Sequence, residues 1–560
     1  MIPEAPHGKY LRLSLQSPSH REEAGRRERR DCFTWPPQNP WTSSTRPGSV
    51  EKSPQKLTQR QQKSSLGWRG RMSEPQGDSF KTTGSTMLQP VSEYVGFPLD
   101  QVNFLACQLF ALAAAFWFRL WLGPARVGPL ARHTVATVLG VAFLIFCFGW
   151  YSAHILTVVV SNYLIMVLAD VNNVHRISMV TTMGYLTACQ VSRVFIFSYG
   201  ILSTDFSGPL MIVSQKITSL AFQLHDGLCK RAEDLTPEQK VLAIRARPSL
   251  MEYLSYNLNF LSVLVGPCTH YKDYVDFMEG RHVSSRLKRS GCNGHSASDS
   301  VPEPSPLSAV SRKLLVCAGC MLFFLTVTRQ LPIKHNADPD FVNSAPFLTR
   351  LTYAFFSIQA ARPKFYFAWT LADAINNAAG YGFLGLDSAG QPSWDLASNL
   401  NIMGIETATS FKTFIDNWNI RTGIWLKTVC YERAPRHRLA LTFVLSALWH
   451  GVYPGYYFTF ITAIPITMAA RAVRKSVRRH FLSSAAVKLM YDVFTWAATQ
   501  LAICYTVMPF LLLAVEPTLV YYRSMYFHVH ILSLLAAIAL PLKPSGTTKR
   551  QPAHANNNHH

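Results

Sequence analysis

Uninterrupted apolar runs decide what this chain can become. Residues 99–122 read LDQVNFLACQLFALAAAFWFRLWL, and a helix rising 1.5 Å per residue would carry such a run across the ~30 Å hydrocarbon core of a bilayer, with Trp117 and Trp121 near one interface. Runs at 134–151 and 155–169 follow with only a few residues between them, a spacing that predicts a tight helical hairpin. Further apolar segments lie near 250–265, 314–328, 347–360, 365–379, 439–449, 457–470, 494–515 and 531–542. The stretch 179–224 is also apolar but carries Gln190, Arg193, Asp205 and Lys216. Those residues predict a segment that is tilted, re-entrant or buried against protein rather than facing lipid. The expected fold class is an all-α polytopic membrane protein with roughly ten to twelve transmembrane or re-entrant helices.

Composition agrees with that reading. Of the 560 residues, 48% are hydrophobic and only 15% charged, against about 25% charged in an average soluble protein. A soluble multidomain enzyme, a disordered protein and a small disulfide scaffold are therefore poor fits. The formal charge of +22, from 54 Lys and Arg against 32 Asp and Glu, does not call for nucleic acid. Much of it lies in the polar N-terminal stretch and in short connections such as Arg471, Arg474, Lys475, Arg478 and Arg479, as positive-inside loops do. The 11 Cys have no framework of spacings, and the sequence has no N-glycosylation sequon, so neither disulfides nor a large lumenal domain is implied.

Three domain-level regions are expected: a basic, disordered N-terminal extension at 1–86, which contains Met72, a candidate alternative start; a membrane-embedded body at 87–543; and a polar tail at 544–560. Within the body, the Ser, Gly and Pro-rich stretch 281–313 reads as an aqueous loop. The interval 385–435 differs in kind. Its Trp and Phe anchors among amides and charges predict a folded segment at a membrane interface.

His450 ends the apolar run LALTFVLSALWHGVYPGYYF. An ionisable group at membrane depth is costly and by default marks a function. An imidazole ordinarily titrates near neutrality and can serve as a general base; the plain alternative is an interfacial histidine bonded to a helix-end carbonyl. Asn419, in FIDNWNIRTGIW, is the second candidate, because an amide can donate to a developing oxyanion. Its plain alternative is a helix cap. Asp373, Asn376 and Asn377 interrupt another apolar run and suggest a polar cavity, or else interhelical hydrogen bonds. The Cys317/Cys320 pair lies in an apolar run and reads as packing, and the His335–Asp340 spacing lacks the context of an acid–base pair. No G-x-S-x-G, Walker A or H-E-x-x-H motif occurs.

Together LTFVLSALWHGVYPGYYFTF, NWNIRTGIWLK, SYNLNFLSVLVGPCTHYKDYVDFMEG and PKFYFAWTLADAINNAAGYGF resemble the membrane-bound O-acyltransferase family, in its lysophospholipid acyltransferase branch, from about residue 72 to 543. The resemblance implies an endoplasmic reticulum membrane protein whose helices surround a catalytic tunnel. In it a long-chain unsaturated acyl group, oleoyl by expectation, passes from acyl-CoA to the free glycerol hydroxyl of lysophosphatidylethanolamine or lysophosphatidylserine during phospholipid remodelling. The family histidine falls on His450 and its asparagine on Asn419. Trp418, Trp449, Asn376 and Asp373 are candidates for substrate contact, and Arg421, Lys427 and Arg433 for holding CoA phosphates. Acyl-CoA, lysophospholipid and the bilayer are the expected partners, with no cofactor, metal or nucleic acid. Three alternatives stay open: a sibling acyltransferase acting on lysophosphatidylcholine, lysophosphatidic acid or a sterol; a lipid transporter or scramblase; and a catalytically silent adaptor.

Overall fold

The computed structural model describes residues 84–196, 205–289 and 304–540. Residues 1–83 with Met72, the middle of the 281–313 stretch and the 544–560 tail lie outside the described residues. Among those described, the regular secondary structure is helical apart from one antiparallel pair of two-residue strands, Gly385–Leu386 with Pro392–Ser393.

The apolar runs become helices α1 (Leu99–Trp121), α2 (Pro129–Phe148) and α3 (Ser152–Leu168). Pro129 opens α2 at a position where its missing N–H is no loss. The short connection after α2 does not produce the expected hairpin. One turn, Gly149–Tyr151, joins α2 to α3, and each helix then buries its face against a different neighbour: α2 against α1 and α6 (Leu250–Leu258), α3 against α4 (Val174–Ile196) and α5 (Ser207–Cys229). The approach of α2 to the end of α6 requires Gly140, where a Cβ would lie 1.7 Å from the Leu258 carbonyl oxygen.

The polar residues of 179–224 show why that stretch reads ambiguously. Every residue of 213–224 on α5 is buried, so the helix runs inside protein. Lys216 donates to the Tyr256 carbonyl (3.0 Å) and to Ser262 Oγ (2.5 Å), Arg193 pairs with Asp205, and Gln190 reaches the Trp449 carbonyl (3.0 Å). Away from water each polar group needs such a partner.

Next come α7 (Leu307–Thr326) and α8 (Phe347–Ala378), which pack along each other. The segments expected at 347–360 and 365–379 are one helix of 32 residues running through Pro363. The apolar pattern breaks there because Arg362 is buried, bonded to Glu406 (3.0 Å) and Gln500 (3.0 Å). The described ends of the 281–313 stretch are likewise not loop: His282–Arg289 is helical, with Arg286 2.7 Å from Asp273, and residues 307–313 belong to α7.

The last elements are α9 (Ile420–Leu426), α10 (Arg438–His450), α11 (Pro454–Val477), α12 (Ala485–Leu512) and α13 (His528–Ala539). Among the described residues five stretches are long and apolar enough to cross a membrane: Leu99–Trp121, Pro129–Leu168, Leu307–Ala337, Pro454–Phe481 and Ala485–Leu512; they do not by themselves confirm the ten to twelve transmembrane or re-entrant helices expected from the sequence. Other apolar segments are too short, as in α10 and α13, or broken, as at α6.

A buried ion pair fastens α7 to α8. Lys313 Nζ lies 2.7 Å from Asp373 Oδ2 and also donates to Asn377 Oδ1 (2.9 Å) and the Trp394 carbonyl (3.0 Å). Removing one member leaves an uncompensated buried charge, which costs about 3–5 kcal/mol. Asp373→Ala is therefore expected to lower the thermal unfolding midpoint of the detergent-purified chain markedly, and Lys313→Met with Asp373→Leu much less. An unchanged midpoint accompanied by a raised substrate KM would place Asp373 in a binding site instead.

Candidate active site

His450 closes α10. The helix stops because Gly451 takes φ 137° and ψ −170°, a conformation that favours glycine, and Pro454 then opens α11. The final turn is pinned from two sides: Trp449 accepts at its carbonyl from Gln190 of α4, and its Nε1 donates to the Met211 carbonyl of α5 (3.0 Å). These contacts fix the half-buried imidazole among four aromatic rings. Phe460 stacks on it at 5.3 Å and 20°, Phe510 meets it edge-on at 4.9 Å, and Tyr456 and Trp449 lie at 5.6 and 4.6 Å. Among the described residues nothing hydrogen-bonds to the ring, so the helix-end carbonyl partner of the plain alternative is absent.

Asn419 precedes α9 with φ 49° and ψ 52°, in the left-handed region that Asn tolerates better than most residues. It occupies the cap position, yet its side chain makes no capping hydrogen bond. The Arg421 amide is taken instead by Oδ1 of Asn399 (3.0 Å), and the Asn419 amide has no hydrogen-bond partner among the described residues. The preceding Trp418 stacks on Phe414 (6.1 Å) and meets Phe365, Tyr366 and Trp369, which makes it part of the α8 packing.

The buried helix α5 brings the two motifs to one frame. Thr218 of α5 accepts from Trp425 Nε1 (2.9 Å), and Gln215 donates to Thr422 Oγ1 (2.9 Å), so α9 docks there. The end of α10 docks there through Trp449, whose ring lies 5.8 Å from that of Trp425. No hydrogen bond joins His450 to Asn419. The arrangement presents an imidazole among aromatic rings and a side-chain amide, neither hydrogen-bonded among the described residues, and groups of these two types can act as a base and as a donor to a developing oxyanion.

The other candidates have partners within the protein. Asp373 is held by Lys313 and Ser398, and Asn376 Nδ2 donates to the carbonyls of Leu261 (3.1 Å) and Ala372 (2.7 Å), tying down the broken segment after α6. Arg433 forms a two-pronged pair with Asp226 (3.0 and 2.5 Å). Lys427 bonds Glu238 (2.7 Å); burial works against its charge, but Glu238 and Glu432 outweigh it and hold its pKa above the ordinary value. Arg421 is different. Its guanidinium reaches the Asp395 carbonyl at 3.4 Å, its Nε is buried without a partner, and it borders a narrow cleft with Ser219, Gln223, Cys268 and His270. Cys317 bonds the Phe367 carbonyl, in keeping with packing, and His335 meets Asp338 rather than Asp340. Among the described residues no three metal-ligating side chains converge.

Asn399 and the rings of Tyr456, Phe460 and Phe510 were not singled out by the sequence, and Gln190 was noted only as a polar residue in an apolar stretch. A lone Asn or Phe carries no spacing signal, and Gln190 lies 259 positions from its partner.

The model of the MBOAT, membrane-bound O-acyltransferase family, matches residues 191–512, which contain both motifs. The chain is 58% identical over 470 residues to membrane-bound glycerophospholipid O-acyltransferase 1 of Mus musculus, covering 84% of this chain and 95% of that protein. It is 57% identical over 488 residues to the Homo sapiens protein of the same name, covering 86% and 97%. It is 53% identical over 471 residues to membrane-bound glycerophospholipid O-acyltransferase 2 of Gallus gallus, covering 84% and 90%. With this similarity running through most of its length, the chain belongs to the membrane-bound O-acyltransferase family.

Proposed function

We propose that the chain transfers a long-chain unsaturated acyl group, oleoyl in the first instance, from acyl-CoA to the free glycerol hydroxyl of lysophosphatidylethanolamine or lysophosphatidylserine. Its place is phospholipid remodelling in the endoplasmic reticulum membrane. The observation that carries this reading is that the side chains of His450 and Asn419 have no hydrogen-bond partner among the described residues, whereas Asp373, Lys427 and Arg433 are engaged. The relatives' names, glycerophospholipid O-acyltransferases, support the substrate class.

In this mechanism a ring nitrogen of His450 takes the proton of the glycerol hydroxyl as its oxygen attacks the thioester carbonyl carbon. The carbonyl oxygen becomes an oxyanion, to which the Asn419 amide donates. Collapse breaks the C–S bond and CoA leaves as thiolate, which recovers the proton from the imidazolium. No acyl-enzyme forms. Placement at the C-terminal end of α10 assists, since the negative end of a helix dipole favours a cation there by about 0.3–1 kcal/mol. The aromatic rings around His450 would keep water from competing with the lipid hydroxyl.

Membranes containing the chain, given labelled oleoyl-CoA and equal amounts of lysophosphatidylethanolamine, lysophosphatidylserine and lysophosphatidylcholine, should yield mainly the ethanolamine and serine phospholipids by mass spectrometry. Dominant phosphatidylcholine would reassign the head group, and no product from any lysolipid would remove the proposed reaction. At equal expression His450→Ala should lower the rate by on the order of 10²–10⁴, the usual contribution of a general base. A His450→Ala chain that turns over at the wild-type rate means another group is the base.

Loss of Asn419 should act differently from loss of a binding contact. Asn419→Ala is expected to lower kcat by on the order of 10²–10³, as removal of one oxyanion donor does, with KM for acyl-CoA nearly unchanged. A raised KM at constant kcat would make Asn419 a ground-state binding residue.

A further inference from the structure

The turn that presents Asn419 is built by a residue outside both motifs. A cap residue normally adopts an extended backbone, and its own side chain accepts from the amide two or three residues on. Asn419 does neither. Its backbone is left-handed, and the two amides that follow it are both taken by Asn399: the Ile420 N–H donates to the Asn399 carbonyl (2.8 Å) and the Arg421 N–H to Asn399 Oδ1 (3.0 Å). A third bond, from the Asn401 N–H to the Asn417 carbonyl (3.0 Å), clamps the chain just before Asn419. Residues 399–401 thus hold the backbone on both sides of the asparagine.

The clamp is itself rooted in the helices. Ser398, the neighbour of Asn399, donates to Asp373 Oδ2 (2.5 Å), the carboxylate paired with Lys313. Asn399 is 8% exposed, so water does not readily replace the acceptor it supplies. By capping α9 from outside, Asn399 relieves Asn419 of the capping role that its position would otherwise assign to it.

We propose that Asn399 is a positioning residue: it fixes the left-handed turn at Asn419 and thereby leaves the Asn419 amide free to meet the acyl carbonyl. The inference rests on the catalytic reading of Asn419 given above. Asn399 touches no reacting atom, so its loss should appear in kcat rather than in substrate binding. A displacement of about 1 Å at a reacting group can cost on the order of 10²-fold in rate.

The test uses Asn399→Gln, which keeps the amide but moves its acceptor by one methylene, alongside Asn399→Ala in the full chain. Acyl transfer is followed by mass spectrometry in wild-type and Asn419→Ala backgrounds. In the wild-type background Asn399→Gln should lower kcat about tenfold or more with KM for acyl-CoA within about twofold. In the Asn419→Ala background the same change should have little further effect, because the group being positioned is gone. A wild-type kcat in Asn399→Gln overturns the proposal, as does an equal fold-loss in both backgrounds, which marks a merely structural role. If Asn399→Ala does not fold, Asn399→Gln carries the comparison alone. A wild-type rate in Asn419→Ala itself overturns the catalytic reading of Asn419, an outcome visible without any change at Asn399.

Discussion

A polar side chain inside a membrane protein must find its partner in the protein, because lipid offers none. That constraint organises this fold. Lys216 bonds Tyr256 and Ser262, Lys313 bonds Asp373, Arg362 bonds Glu406 and Gln500, and Gln190 bonds the Trp449 carbonyl. Each joins segments far apart in sequence, so the polar groups that interrupt the apolar runs also fix how the helices meet. Unlike these groups, the imidazole of His450 and the side-chain amide of Asn419 have no hydrogen-bond partner among the described residues, a readiness that leaves both available to something that is not protein.

The central, fully buried stretch of α5 is the frame on which that readiness depends. It receives Trp425 from α9 through Thr218 and Trp449 from α10 through Met211, so two short motifs 31 positions apart are located against one rigid element. Rigid placement matters because acyl transfer requires the hydroxyl, the carbonyl and their helpers to be aligned before reaction. The aromatic rings around His450 contribute shape and dryness without supplying a hydrogen bond that would compete for the ring.

Much of this could be read from the sequence, and the gaps have physical causes. The run at 99–122 became a helix of nearly the same bounds because no Gly or Pro interrupts it, and its buried Asn103 donates to the Ser85 carbonyl rather than breaking the helix. The runs 347–360 and 365–379 looked separate because Arg362, Pro363 and Lys364 divide them, yet the buried bonds of Arg362 let one helix pass through. Lys427 and Arg433 read as candidates for holding CoA phosphates; their acidic partners, Glu238 and Asp226, lie 189 and 207 positions away, beyond any local pattern. His450 could be picked out because an ionisable ring at the end of an apolar run is unusual, and Asn419 because NWNIRTGIWLK resembles a family motif. Asn399 was not, since one more Asn in an amide-rich interval carries no mark until the backbone at Asn419 is seen.

The most direct measurement is a structure of the chain with a non-transferable acyl-CoA analogue and a lysophospholipid bound together. The account predicts the glycerol hydroxyl oxygen about 2.6–3.2 Å from a ring nitrogen of His450, with the acyl carbonyl oxygen about 2.7–3.1 Å from the Asn419 amide nitrogen. A reacting centre lodged elsewhere, with both side chains closed off by protein partners, would contradict it.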